Sequence, residues 1–199
     1  MESCLKDTST TRDRILQATL EIISRDGFQH VTIKKIADLA EVNIAAVNYH
    51  FGSKSKVIDE AMKVFTNKLM KSFDTLEDKD LPPRDRLENF LSSYAENALE
   101  HPDVFKNFVS SVINNNDENS CEYIHFLKDK GLDKVRSTLK EAGVKDGKEL
   151  LTMKMLQMIG ALELPILLGT HMSHLAGINY QCSEMRGQYI DLILRALFS

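Results

Sequence analysis

Apolar residues recur along this chain at the three-to-four-residue spacing of an α-helix, and no stretch sustains the two-residue alternation of a half-buried strand. Ile15, Leu16, Ala18, Leu20, Ile22 and Ile23 mark one helical face. That helix begins after Thr10 or Thr11, either of which can cap it, and stops at Asp26-Gly27, where glycine is free to adopt positive φ. Thr32 caps a second helix, Ile33 to Ala40, and a third runs from Ile44 to about His50. Gly52-Ser53 stops the third and caps a fourth, in which Val57, Ile58, Ala61, Met62, Phe65, Leu69 and Phe73 share one side. The polar segment Glu77 to Pro83 reads as a linker, with Pro83 near the first turn of the next helix. Further helices are expected over 84–100, 103–114, 120–142, 147–172 and 181–198. The breaks fall at His101-Pro102, at the run from Asn114 to Asn119, at Lys145-Asp146-Gly147 and at Gly177-Ile178-Asn179. The implied fold class is all-α: an N-terminal three-helix domain over 1–53, a connecting helix over 54–76, and a larger helical domain over 77–199.

Composition narrows the class. With 43% hydrophobic and 27% charged residues over 199 positions, the chain has the balance of a folded globular protein. The longest apolar stretch, Met158 to Gly169, is interrupted by Glu163 and Pro165 and is expected to be too short to span a bilayer. The opening Met-Glu-Ser-Cys-Leu-Lys-Asp lacks the apolar core of a signal peptide. Cys4, Cys121 and Cys182 show no paired spacing, as expected of free thiols in a reducing cytosol. A cytoplasmic protein without a membrane span is the expectation.

Charge first argues against nucleic acid, since the formal net charge is -4. Residues 1–72 nevertheless carry +2, against -6 for residues 73–199. Lys34, Lys35, Lys54 and Lys56 bracket a region whose acids are Asp38 and Glu41. An acidic body with a locally basic face remains compatible with DNA, although a patchy solvated surface would look the same.

Residues 33–52 change the picture. Ile36, Ala40, Val42 and Val47 are spaced to pack two short helices at a steep angle, and Ala37 is small where they approach. Glu41 occupies the turn, a position that tends to need positive φ and so favours glycine. Asn43 can cap the second helix of the pair, leaving Ile44, Ala45, Ala46, Asn48, Tyr49 and His50 on or near its exposed face. A short helix with small residues at its tip and Asn, Tyr and His outward suits the major groove. The string from Ala40 to Lys54, AEVNIAAVNYHFGSK, with Thr32-Ile-Lys-Lys-Ile-Ala37 upstream, closely resembles the N-terminal signature of TetR-family transcriptional regulators. The resemblance covers roughly residues 10–60. It departs from the family at Glu41, Asn43 and Asn48, where Gly, Ser and Tyr are commoner.

The resemblance implies a DNA-binding regulator, in most cases a repressor released by a small molecule. Thr32 would cap its helix, touch a phosphate, or both. Tyr49, His50 and Lys54 would contact the phosphate backbone, and the competing role of Tyr49 is to seal the domain with Phe51. Base reading would fall to Asn43, Ile44, Ala45, Ala46 and Asn48, while Lys34 either assists or faces solvent. One such helix reads few bases, so a homodimer on a near-palindromic duplex operator is expected.

In the larger domain, Met153, Met155, Leu156, Met158, Ile159, Leu162 and Leu164 leave a helix apolar on nearly all sides, as core or as both cavity wall and subunit interface. The dimer surface is expected from Leu192, Ile193, Leu194, Ala196, Leu197 and Phe198, with Leu162 to Leu168. The candidate ligand residues are Phe90, Tyr94, Phe105, Phe108, Tyr123, Phe126, Met155 and Met158, with Glu163 or His171 to orient a polar end. They favour a mainly apolar inducer, while each could also be ordinary core. His171, His174 and Cys182 lack a carboxylate at ligand spacing, so no metal is expected. Nothing near Cys121 or Cys182 marks a redox pair. No Ser–His–acid, HExxH or glycine-rich phosphate motif suggests catalysis, and neither catalytic residues nor a cofactor are expected. The alternative is a ligand-binding helical adaptor, or an enzyme, that does not bind DNA.

Overall fold

The computed structural model describes residues 10–114 and 122–198. Cys4, Cys121, the opening heptapeptide and all but the first residue of the Asn114–Asn119 break lie outside these residues. Every element among the described residues is helical. The chain divides inside its fourth helix into a compact unit ending at Val64 and a second beginning at Phe65.

The first unit holds α1 (Thr11–Asp26), a 3-10 turn (Phe28–His30), α2 (Ile33–Leu39), α3 (Ile44–Phe51) and the start of α4 (Lys54–Ser72). Thr10 closes a capping box with Asp13, each side chain bonding the other residue's backbone N–H. α1 buries Ile15, Leu16, Leu20, Ile22 and Ile23 against α2 and α3, which contribute Ile36, Ala37, Ala40, Val47 and Phe51. α4 adds Val57 and Ala61 to this core. Its start is held by the Ser53 hydroxyl, which accepts from Lys56 N–H at 3.3 Å. Arg12 lies over the Phe51 ring and pairs with Glu60 at 2.7 Å, tying α1 to α4.

The second unit begins with the rest of α4 and a 3-10 turn (Phe73–Glu77), followed by α5 (Pro83–Glu100) and α6 (Pro102–Asn114). α5 is the centre: Leu87, Phe90, Leu91, Tyr94, Ala95 and Ala98 are buried. Packed on it are α6 and three helices from further along the chain, α8 (Leu132–Glu141), α9 (Lys148–Leu168) and α11 (Ser183–Leu197). The buried Arg86 guanidinium donates to the Leu76 carbonyl and to Glu141, joining the 3-10 turn to α8.

Two helices differ from the sequence expectation. The helix expected over 120–142 is α7 (Glu122–Phe126), a π turn (Leu127–Gly131) and α8. Gly131 is buried, and a Cβ there would sit 3.0 Å from Phe126 Cε1 and 3.3 Å from Phe73 Cε1, so the turn packs only without a side chain. The helix expected over 147–172 ends at Leu168, because Gly169 turns to φ +54°, and α10 (Thr170–Ala176) follows.

Pro165 does not end α9. Proline has no N–H for the Ala161 carbonyl one turn back, and the Tyr189 hydroxyl of α11 donates to that carbonyl at 3.2 Å. α9 is also longer than its uninterrupted apolar run suggests. At 21 residues it is long and apolar enough to cross a bilayer on length and composition alone. Its Leu151, Met155, Met158, Leu162 and Ile166 are buried within the helical unit.

Candidate nucleic-acid interface and ligand cavity

The turn between α2 and α3 closes as a Schellman motif. Val42 N–H donates to the Ala37 carbonyl at 3.0 Å and Glu41 N–H to Asp38 at 3.4 Å. Glu41 takes φ +54°, and among the described residues it is the one non-glycine residue with positive φ. The turn places Asn43 at the start of α3, where its Oδ1 accepts from Ala46 N–H at 2.6 Å. The carboxamide oxygen of Asn43 is therefore engaged, while the residue itself stays exposed.

α3 is split between core and solvent. Val47 and Phe51 face the core, whereas Ile44, Ala45, Asn48, Tyr49 and His50 are exposed and Ala46 is half-exposed. Tyr49 is 86% exposed, so it does not seal the domain with Phe51; its ring stands edge-on to His50 at 5.3 Å instead. Thr32 caps α2, its Oγ1 accepting from Lys35 N–H at 3.1 Å, and remains exposed.

The lysines divide. Lys35 is tied to Asp26 at 3.1 Å, and hydrogen bonds from Arg25 and Lys35 hold the Asp26 carboxyl down at about 2. Lys34, Lys54 and Lys56 are exposed and make no ion pair among the described residues. One surface of the first unit thus carries hydroxyl, amide and imidazole donors on a short helix, with unneutralised lysines at the starts of α2 and α4. That arrangement can meet phosphates with charge and base edges with Asn and small apolar side chains.

The second unit encloses an apolar cavity of about 300 Å³. Of the sequence-expected ligand residues, Tyr94, Phe108, Tyr123, Met155 and Glu163 lie on its wall. The others are elsewhere. Phe90, Phe105 and Met158 are wholly buried in the core, and Phe126 packs edge-on to Phe73 at 5.1 Å. His171 is exposed on α10, as is His174. The distinction is one of register: α5 presents Tyr94 to the cavity and Phe90 to its neighbours' side chains.

The Tyr123 hydroxyl donates to Tyr94 Oη at 3.3 Å, and Tyr94 donates to Glu163 Oε1 at 2.7 Å. Burial pushes the Glu163 carboxyl up from its ordinary value, opposed by that tyrosine hydrogen bond. Burial likewise holds the Tyr94 hydroxyl protonated. Sequence reasoning missed Arg136, Thr152, Phe73 and a row of aliphatic wall residues from Val109 to Ile113. Arg136 had no signal, since its place among exposed charges on α8 looks like any solvated position.

The dimer surface expected from α11 is also reduced. Ile193, Leu194 and Leu197 are buried against their own chain, because α11 packs on α5 and α9. Leu192 and Leu164 remain 60% and 56% exposed. Beside Leu192, a groove between α9 and α11 is lined by Gln157, Met158, Ala161, Tyr189 and Ala196. Cys182 is an exposed free thiol.

Comparison with known proteins places this geometry. Residues 15–65 match the family model described as bacterial regulatory proteins, tetR family. The chain is 26% identical over 102 residues to the HTH-type transcriptional repressor KstR2 of Mycobacterium tuberculosis, covering 51% of this chain and 50% of that protein. It is 43% identical over 47 residues to the HTH-type transcriptional repressor NicS of Pseudomonas putida, covering 24% and 22%. The match thus spans about half the length of KstR2 and less of NicS. In fold, the TetR family transcriptional regulator PfmR of Thermus thermophilus superposes with a TM-score of 0.69 at 21% identity, over 92% of this chain and 98% of that one. The α2–turn–α3 pair thus lies within the segment that matches the tetR family model, and the chain as a whole shares the fold of PfmR.

Proposed function

We propose that the protein is a sequence-specific DNA-binding transcriptional regulator, a repressor, that acts in the cytoplasm. The observation that carries this is the exposed face of α3. Tyr49 is 86% exposed although large and aromatic, and it stands beside Asn48 and His50, with Lys54 at the next helix start. An aromatic hydroxyl so far out in solvent gains nothing from the core, but it is well placed to donate to a phosphate. Asn48, Ile44 and Ala45 supply the base-edge contacts, and the NH2 of Asn43 supplies a donor beside them.

The regulator acts as a homodimer on a near-palindromic operator. Leu164 and Leu192 supply the apolar contact across the α9–α11 groove, and helix pairs from two copies form a four-helix interface. A small, mainly apolar inducer occupies the cavity of the second unit. α4 is the covalent link through which a shift there reaches α3, and a coupling of about 1–3 kcal/mol weakens operator binding roughly 5–150-fold.

The test is titration of fragments enriched from genomic DNA by the purified protein. Lys54→Ala and Tyr49→Phe should each weaken binding to all sequences, Lys54→Ala alone flattening its salt dependence, whereas Asn48→Ala should also change base preference. A Tyr49→Ala/Lys54→Ala double variant that keeps its fold and its operator affinity would defeat the assignment.

A further inference from the structure

We propose that the cavity selects a lipophilic organic monocation, its ammonium group seated against the Glu163 carboxylate and its apolar body among the rings of Tyr94, Phe108 and Tyr123. The inference rests on reading this cavity as the effector site. It begins with charge. The wall carries two formally charged side chains, of opposite sign, Arg136 and Glu163. Arg136 already pairs with Asp133, one turn away on its own helix. Glu163 receives the neutral hydroxyl of Tyr94 and has no cation at ion-pair distance among the described residues. The charge left without a counter-ion in this apolar space is therefore negative.

A carboxylate in such surroundings is disfavoured unless a cation or several donors accompany it. Burial accordingly raises the Glu163 carboxyl. The Tyr94 hydroxyl, itself accepting from Tyr123, hydrogen-bonds to Glu163 but does not neutralise it. A bound ammonium would supply the missing charge.

The rings supply the second argument. Phe108 and Tyr123 meet edge-to-face at 5.4 Å and Phe73 and Tyr94 at 6.5 Å, and all four line the cavity. Aromatic faces carry the negative part of the ring quadrupole and attract a desolvated cation, ammonium groups in particular. An anion would meet those same faces and the Glu163 carboxylate unfavourably. The volume, about 300 Å³, is at the small end for ligand sites and suits a body of one ring and a short chain.

The experiment uses three probes of one shape: 4-phenylbutylammonium, 4-phenylbutanol and 4-phenylbutanoate, titrated calorimetrically into the full-length protein. The ammonium should bind about tenfold or more tightly than either other probe. Glu163→Gln, which keeps an acceptor for Tyr94, should abolish that preference while leaving the alcohol within about threefold. Glu163→Asp should retain part of it, and ligand-free thermal melts report whether either variant is folded. Tightest binding of the carboxylate with loss in Arg136→Met, a preference surviving Glu163→Gln, or no ammonium binding at millimolar concentration each overturns the proposal. Operator release by the same probes separates the two readings. Ammonium binding without release leaves the cation site standing and defeats the effector role, whereas release by the alcohol or carboxylate alone does the reverse.

Discussion

Glu41 takes up a conformation that its side chain opposes. With φ at +54° its Cβ crowds the following carbonyl, a cost of roughly 1–2 kcal/mol that glycine avoids. The Schellman hydrogen bonds of Val42 and Glu41 itself hold the residue there. Glu41→Gly should therefore stabilise the first unit by about 1 kcal/mol, since the relief of native strain outweighs the added freedom of the unfolded chain. Thermal unfolding followed by circular dichroism should show a midpoint a few degrees higher, and removing an acid beside α3 should also tighten operator binding. An unchanged or lower midpoint would mean that the strain is relieved in some other way.

At the scale of single elements, α3 is eight residues long and depends on its two core anchors, Val47 and Phe51, with its cap adding to them. Asn43 combines two features: its Oδ1 caps the helix at 2.6 Å, and its exposed side chain carries an amide donor. Two substitutions separate them. Asn43→Ser keeps an N-cap oxygen and removes the amide donor, so it should leave stability within a few tenths of a kcal/mol and shift base preference. Asn43→Ala removes both and should cost about 1 kcal/mol of stability as well. Equal melting of the two variants would show that the cap contributes nothing. α9 illustrates a different repair. Pro165 strips one backbone bond from the helix, and the Tyr189 hydroxyl fills the vacant Ala161 acceptor from a neighbouring element.

For the whole molecule, the remaining exposed apolar side chains define what a second copy would cover. Leu164 and Leu192 are more than half exposed, while their neighbours Ile166 and Leu194 are fully buried. Leu164→Lys combined with Leu192→Lys should leave the intrachain core intact and remove the dimer contact. Light scattering should then give the monomer mass of 22.6 kDa, and for the unaltered protein twice that. Operator affinity should fall steeply, because each α3 alone reads only one half-site. Unaltered protein that scatters as a monomer at micromolar concentration would remove the two-fold reading altogether.

Much of the molecule is decided within a few residues and is legible from the chain alone. The caps at Thr10, Thr32 and Asn43, the stop at Gly27, the strained turn at Glu41 and the exposed tip of α3 all depend on neighbours three to five positions away. Helical periodicity exposes these because it is itself a local property. What it leaves open is which element covers which face. Only packing showed that Ile193 and Leu197 belong to their own chain and Leu192 to the surface, or that α5 turns Tyr94 toward the cavity and Phe90 away from it. The π turn depends on the space between Gly131 and Phe73, and the charge of the cavity on Glu163 meeting Tyr94 across 69 positions of sequence. Such pairings are set by the three-dimensional approach of whole helices, and no pattern along one helix contains them.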